Sequence, residues 1–361
     1  MIIFGSPSRY VQGAGALSAL GTELRRLGAD AILVVDPLIQ DLHGPAMRAF
    51  CEAAGVSARQ LRFGGDCTHA EVERLLALAG RTEIVAAAGG GKCIDAGKAM
   101  AGRLGAEVVT IPTIASTDAP TSHNYVMYDE THRMVGVEKL KRNPALVLVD
   151  TQIIAQAPRH LFVAGIGDAI GKIYEVEACF NARGINVFGG QSALSALMLA
   201  RACHRLLLDD SVNALAAIDR KAADNALERV VEATVLMSGL AFESGGLSIS
   251  HSMTRGLTAV KPYADTLHGF QVAYANLVQV KLEGRPAAEI EALAAFYGRV
   301  GLPRSLAELG RQPAARADIS RMAMLTMTAP HIRHFPRVLA ASDVEDAMLW
   351  VEGVFSGLIQ N

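Results

Sequence analysis

From Ala86 to Tyr128 the chain reads AAAGGGKCIDAGKAMAGRLGAEVVTIPTIASTDAPTSHNYVMY. An apolar run enters three consecutive glycines, Gly89, Gly90 and Gly91, and Lys92 and Asp95 follow as helical spacing begins. The first turn of a helix carries unpaired N–H groups and a partial positive charge, and glycine lets a phosphate approach because no Cβ intrudes. With a lysine beside it, this turn suits a pyrophosphate. The next apolar segment ends in small and hydroxyl residues around Asp118, a loop that suits the redox end of a dinucleotide. A tight strand-to-helix turn with no ligand is the bland alternative, and three glycines followed by lysine make it the weaker one. An ATP-binding P-loop is excluded, since its first glycine would fall on Ala86 and Cys93 stands where the magnesium-binding Ser or Thr belongs. The GxGxxG spacing of ordinary dinucleotide-binding folds is also missing.

The surrounding pattern sets the fold class. Residues 31–35, 84–88, 108–111 and 145–149 read as strands, and 71–79 and 94–104 as helices. This alternation predicts a mainly parallel sheet covered on both faces. Beyond Asp150 strand runs almost vanish. Helical spacing appears at 192–208, with Ser192 as its N-cap, and at 226–242, 267–282, 287–297 and 344–359. The expected architecture is an α/β domain over 1–158 followed by an all-α domain over 159–361. Asp36 closes the first strong strand. It suits ribose hydroxyls and would repel a 2′-phosphate, favouring NAD over NADP, but an aspartate before proline is equally a common turn.

The 361 residues suffice for two domains, and 51% are hydrophobic, much of the excess being alanine. A formal net charge of −2 gives no reason to expect nucleic acid as a partner. The amino terminus does not read as a signal peptide, and no apolar run approaches a bilayer span. Five scattered cysteines with no CxxC pair argue against a disulfide framework and for a reducing cytoplasm.

Asp168 lies in AGIGDAIGKIYE, His251 in GGLSISHSMTRG and His268 in ADTLHGFQVAYA. One aspartate and two histidines suit zinc or iron(II) and leave coordination positions open. Spacing alone cannot join residues of three separate helices, and most of the ten histidines must be ordinary packed or surface rings.

With these residues in view, the sequence resembles the glycerol dehydrogenases, a branch of the iron-containing alcohol dehydrogenase superfamily. The resemblance runs over essentially the whole chain, through SPSRYVQG, GGGKCIDAGKA, PTIASTDAPTS, NPALVLVDTQIIAQAP, AGIGDAIGKIYE, FESGGLSISH and the pair His268-Gly269. It implies a glycerol dehydrogenase-like, dehydroquinate synthase-like fold, with an N-terminal dinucleotide domain, a helical metal-binding domain and catalysis in a cleft between them. It implies that Gly89, Gly90, Gly91 and Lys92 meet the NAD pyrophosphate with Asp95 beside them, that Asp36 serves the adenosine ribose, and that Thr113, Ser116, Ser122, Asn124 and Tyr128 line the cofactor. Asp118 matches the residue that contacts a substrate hydroxyl. Asp168, His251 and His268 match three ligands of one divalent metal, with zinc placed ahead of iron. A cytoplasmic homo-oligomer, up to an octamer, is also implied, with no membrane partner.

The chain departs from that pattern at four places. His123-Asn124 replaces a small apolar pair, and His123 is expected to line the substrate pocket ahead of relaying a proton. Thr254 replaces a histidine, and Phe270-Gln271 replaces a charged pair. Lys172 stands where iron-dependent relatives have a ligand histidine. An ammonium does not ligate, so a three-ligand site follows; its bland alternative is a surface lysine with a snorkelling stem. The activity these features imply is hydride transfer between a small polyol and NAD. Its rivals are a 2-hydroxy acid dehydrogenase, using Arg255, Lys172 or His123 for the carboxylate, a dehydroquinate synthase-like lyase, and a non-catalytic scaffold. The lyase would need a more basic pocket than 164–171 and 242–256 offer, and Asp118 would repel a hydroxy acid.

Overall fold

The computed structural model describes residues 1–355. The chain divides into two compact units. One contains Gly5–Pro158 together with Ala216–Gly239, and the other contains Met1–Phe4, Arg159–Leu215 and the chain from Leu240 onward. The sequence predicts a single break after 158. The borders near 215 and 239 fall inside the helical segments Leu194–Arg220 and Ser238–Gly245, where no proline- or glycine-rich linker marks them.

The first unit is built on a six-stranded parallel sheet in the order β1-β8-β5-β4-β2-β3. Its strands are β1 (Tyr10–Gly13), β2 (Asp30–Val35), β3 (Ser57–Arg62), β4 (Ile84–Gly89), β5 (Glu107–Pro112) and β8 (Leu146–Asp150). β4 is apolar at every position, and β2, β5 and β8 are apolar over most of theirs, because both faces are covered. On β2, Ile32 and Val34 join a cluster with Val72, Leu75, Ala96 and Met100. Ala31, Leu33 and Val35 point the other way, into a cluster with Leu20, Leu24, Met47 and Cys51.

Strand order places the ligand end. β3 lies on one side of β2 and β4 on the other, so the connections after β2 and β4 diverge there. Ligands of open parallel sheets bind where such connections part, beyond the carboxyl ends of the strands. Asp36 follows β2 and Gly90 follows β4 at that point. Beside them, Gly89 of β4 pairs with Pro112 of β5, and the Thr113 N–H donates to the Gly89 carbonyl at 3.1 Å.

Several expectations need correction. Residues 113–128 are not loop throughout: β6 (Asn124–Tyr128) pairs antiparallel with β7 (Met134–Lys139) in a ribbon outside the main sheet, whose second strand exposes Met134, Val135 and Val137. Strands β1 and β3 were missed as well, one being only four residues long and the other an edge strand reading SARQLR. The helix expected at 226–242 carries a π-helical stretch, Glu232–Met237, between Asn225–Val231 and Ser238–Gly245. Ser192 does not cap its helix, which starts at Leu194, and its hydroxyl has no hydrogen-bond partner among the described residues.

The second unit is helical. Its elements include Arg159–Ile170, Lys172–Asn181, Ile249–Leu257, His268–Leu282, Ala287–Val300 and Ala341–Phe355. The last corresponds to the segment expected at 344–359, of which 356–359 lie outside the described residues. Among those residues no single helix is long and apolar enough to cross a membrane.

Candidate metal centre and cofactor loops

Two glycines bring the metal candidates together. A Cβ on Gly167 would stand 2.4 Å from the Gly269 carbonyl oxygen, and one on Gly269 would stand 1.8 Å from that of Ala164. Bare backbone therefore meets bare backbone, and the helix Arg159–Ile170 lies against the first turn of His268–Leu282. Asp168 and His268 sit next to these glycines. This close approach is the physical content of the AGIGDAIG and His-Gly motifs.

The result is a preassembled ligand set. Asp168 is buried at 2% exposure, and its Oδ1 lies 3.5 Å from His251 Nε2 and 3.9 Å from His268 Nε2. One ligand atom from each residue falls within 4.8 Å of the others. Tetrahedral zinc with bonds near 2.0–2.1 Å spaces its ligand atoms by about 3.3 Å, so small shifts close the set around an ion. Three protein ligands with a position left open are the pattern of catalytic zinc.

Glu175, which the sequence reading did not single out, fixes the first histidine. Its Oε2 lies 2.5 Å from His251 Nδ1, and its Oε1 accepts from the backbone N–H groups of Ser248 and His251, each at 2.9 Å. A carboxylate on Nδ1 leaves Nε2 as the ligating atom. Burial raises Glu175, but His251, then Lys172, outweigh it and bring the carboxyl down to about 2. Burial lowers His251, yet the Glu175 charge wins and carries it up to about 9. Asp168 is buried too, and Lys172 and the two histidines hold it far below the usual carboxylate range.

Lys172 departs from its bland alternative. It is not a surface lysine with a snorkelling stem: it is 1% exposed, and its ammonium donates to Asp168 Oδ1 at 2.6 Å and to the Asp168 carbonyl at 3.1 Å. Asp168, Lys172 and Glu175 stand at i, i+4 and i+7, a helical spacing that places them on one side of the 168–175 segment. That periodicity was readable in the sequence and would have brought out Glu175. Thr254, where the resemblance suggests histidine, turns its hydroxyl to the His251 carbonyl at 2.7 Å. Gln271 is buried and donates to the Tyr263 carbonyl at 2.9 Å.

In the α/β unit the glycines have distinct reasons to be glycine. A Cβ on Gly89 would meet Cys93 Cβ at 2.7 Å and Asp36 Cβ at 3.0 Å, so the fold demands glycine there. A Cβ on Gly91 would meet only Thr117 Oγ1, at an ordinary 3.7 Å. The protein leaves that space open at the start of a fourteen-residue helix whose N-cap, Gly90, provides no side-chain cap. Lys92 donates to Asp66 Oδ2 at 2.8 Å, a partner the sequence reading missed, and lies over the Tyr128 ring at 4.7 Å. Asp36 caps the helix Pro37–Ala53 by accepting from the Leu38 N–H at 3.0 Å. Its turn role is therefore real, whatever else its carboxylate binds.

Asp95 is turned into the scaffold. Its Oδ2 accepts from the Val126 N–H at 3.1 Å, with the Lys98 ammonium 3.7 Å from Oδ1, and burial lifts its carboxyl to about 6 against the pull of Lys98. Lys98, also fully buried, donates to the carbonyls of Ala119 and Asn124 at 2.6 and 2.8 Å and so fixes the loop that bears Asp118. Within that loop Ser122 Oγ accepts from the Asn124 N–H at 2.9 Å. Asn124 Oδ1 is buried without a hydrogen-bond partner among the described residues, as suits an acceptor kept for a ligand. Thr113 is buried, Ser116 half-buried, and His123 buried with its carbonyl accepting from the Leu140 N–H at 2.9 Å. Asp118 Oδ2 accepts from the Ser238 hydroxyl at 2.6 Å. Ser238 directly follows the π-helical stretch, whose Val235 carbonyl is 3.1 Å from Thr121 Oγ1.

A parallel dinucleotide-type sheet in one unit and, in the helical unit, an Asp-His-His set able to hold a metal ion are what a metal-dependent alcohol dehydrogenase requires. Residues 7–151 match the family described as iron-containing alcohol dehydrogenase. The glycerol dehydrogenase of Thermotoga maritima is 41% identical over 88% of this chain and 87% of its own. The glycolaldehyde reductase of Halobacterium salinarum is 35% identical over 96% of both. The crystal structure of a probable glycerol dehydrogenase from Sinorhizobium meliloti superposes with a TM-score of 0.91 at 35% identity, covering 99% of this chain and 100% of that one. The chain belongs to the iron-containing alcohol dehydrogenase family, in its glycerol dehydrogenase branch.

Proposed function

We propose that this protein oxidises glycerol or a closely related vicinal diol reversibly with NAD, using zinc held by Asp168, His251 and His268. It is a metal-dependent polyol oxidoreductase of the glycerol dehydrogenase type. The observation that carries the reading is the preassembled ligand set, with Glu175 already holding His251 in the ligating orientation. When bound, the ion supplies positive charge that lowers the pKa of a substrate hydroxyl, and NAD supplies the hydride acceptor. Zinc is preferred to iron because a lysine, which does not ligate, follows the aspartate by four residues and leaves three ligands.

The chain's own residues do the rest. The open N–H groups of the helix starting at Gly91, with Gly89, Gly90 and Lys92, receive the pyrophosphate, and Asp36 takes the adenosine ribose. Thr113, Ser116, Ser122, Asn124 and Tyr128 line the remainder of the cofactor, and Asp95 braces that lining from behind. Asp118, oriented by Ser238, accepts a hydrogen bond from a substrate hydroxyl. His123 lines the substrate pocket and shapes its selectivity.

The hydroxy-acid alternative loses one of its carboxylate anchors, because Lys172 is enclosed and already holds a carboxylate. A cytoplasmic location and homo-oligomeric assembly form part of the proposal; five free, buried cysteines agree with a reducing compartment. The test is an NADH-formation screen over glycerol, 1,2-propanediol and 2-hydroxy acids, with dihydroxyacetone for the reverse direction, each with and without chelator. Chelator-sensitive turnover of the polyols is expected. Turnover of hydroxy acids alone would overturn the assignment.

A further inference from the structure

We propose that Lys172 is a built-in counter-cation of the metal centre, which holds the ligand set together when no metal is bound and sets metal affinity lower than the ligands alone would give. The inference rests on the metal-centre reading above and on geometry particular to this chain. Asp168 Oδ1 is the oxygen that faces both histidine nitrogens, at 3.5 and 3.9 Å. The Lys172 ammonium lies 2.6 Å from that same oxygen. Ion and ammonium thus draw on one carboxylate atom, and each reduces what the other gains from it.

Charge counting shows the consequence. With both histidines neutral, as ligation requires, the buried set consists of the Asp168 and Glu175 carboxylates and the Lys172 ammonium, a net charge of about −1. A divalent ion takes it to about +1. Without the ammonium the same steps would run from about −2 to about 0. Two buried carboxylates are strained by repulsion and desolvation, and His251 is paired with Glu175, so the ammonium on Asp168 favours the folded metal-free state. The same ammonium repels an incoming cation, and at a protein-like dielectric that repulsion weakens metal binding by about tenfold or more. The side chain is 1% exposed and its charge also faces the Phe242 ring at 5.8 Å, so it is placed to act on the ion's surroundings, away from solvent.

The experiment is zinc titration of the whole protein against a chromophoric chelator, for the native chain, Lys172→Met, Lys172→Gln and His251→Ala. Thermal unfolding of each is recorded with and without zinc. Methionine keeps the length and removes the charge; glutamine also keeps a donor for Asp168 and secures the test if the methionine variant fails to fold without metal. Expected are one zinc per native chain, none at this site in His251→Ala, and dissociation constants about tenfold or more lower in both Lys172 variants. The chelated Lys172 variants should also melt below the chelated native protein, with the gap closing on zinc addition. Native-like or weaker zinc binding in the folded Lys172 variants would overturn the counter-cation role while leaving the metal centre intact. Native-like binding in Lys172→Gln alone would assign the effect to the hydrogen bond and overturn the role of charge. A native chain that binds no more zinc than His251→Ala would overturn the metal centre and this inference together.

Discussion

Glu175 and His251 form a carboxylate–imidazole pair, Oε2 to Nδ1 at 2.5 Å, with the carboxylate wholly enclosed. A second anchor comes from the His251 backbone N–H, which donates to the other oxygen of the same carboxylate. Glu175→Gln keeps the shape but removes the charge that makes the imidazole a better ligand. Zinc affinity should fall about 10- to 100-fold, with turnover falling in parallel at limiting metal. Chelator competition and metal content after dialysis measure it; unchanged affinity would mean that Glu175 only packs.

The same pair gives the metal-free protein a pH signature. His251 is raised to about 9 in the folded chain, above the roughly 6.5 of a free imidazole, so its stabilisation is complete below about pH 6.5 and is lost as pH rises through 9. Glu175 is depressed to about 2, so its share is present above the free carboxyl pKa near 4.3 and is lost as pH falls through 2. Melting temperatures of chelator-treated protein should therefore decline between pH 6.5 and 9.5. Zinc-loaded protein, in which His251 is a neutral ligand, should decline less. Parallel curves for the two forms would contradict the pairing.

Much of this was readable in the sequence, for identifiable reasons. Strands β4 and β5 and the glycine turn are buried on both faces, so their composition is constrained at every position and the pattern is loud. The ribbon β6–β7 carries apolar residues but stands outside the parallel sheet and breaks its β/α alternation, and β3 is a charged edge whose composition does not separate it from loop. The three metal candidates, which the structure gathers within 4.8 Å, came from the resemblance, because spacing alone could not join residues of three separate helices. The burial of Lys172 was not legible, because a lysine is usually a surface residue and burial depends on what the opposite helix brings, which local sequence does not record. Ser238 could not be found at all: it reaches Asp118 across 120 positions, from a segment the sequence alone assigned to the helical domain.

That long-range contact makes its own prediction. Ser238→Ala removes the hydroxyl that orients Asp118 Oδ2, so kcat/KM for glycerol should fall by about tenfold, on the scale of one hydrogen bond to a charged group. Asp118→Asn should cost more, about a hundredfold, because it changes the acceptor itself. Neither change should alter zinc content. Steady-state kinetics with metal analysis separate these outcomes, and a Ser238 variant as impaired as the Asp118 variant would place Ser238 in direct contact with the substrate.

The glycine turn separates the demands of fold from those of ligand. At Gly89 an added methyl would press on Cys93 Cβ at 2.7 Å, between a strand and a helix that cannot part without opening the sheet. Gly89→Ala should therefore destabilise the protein by about 1–3 kcal/mol, seen in denaturant or thermal melts, with NAD binding reduced as a consequence. At Gly91 the same methyl meets nothing closer than 3.7 Å, and alanine is the better helix former. Gly91→Ala should melt at or above the native temperature, yet its methyl would occupy the space beside the open N–H groups of the first turn. NAD affinity should drop about tenfold or more, read by quenching of protein fluorescence or by calorimetry. A Gly91→Ala protein that binds NAD normally would remove the pyrophosphate from this turn, since the fold has no use of its own for the missing side chain there.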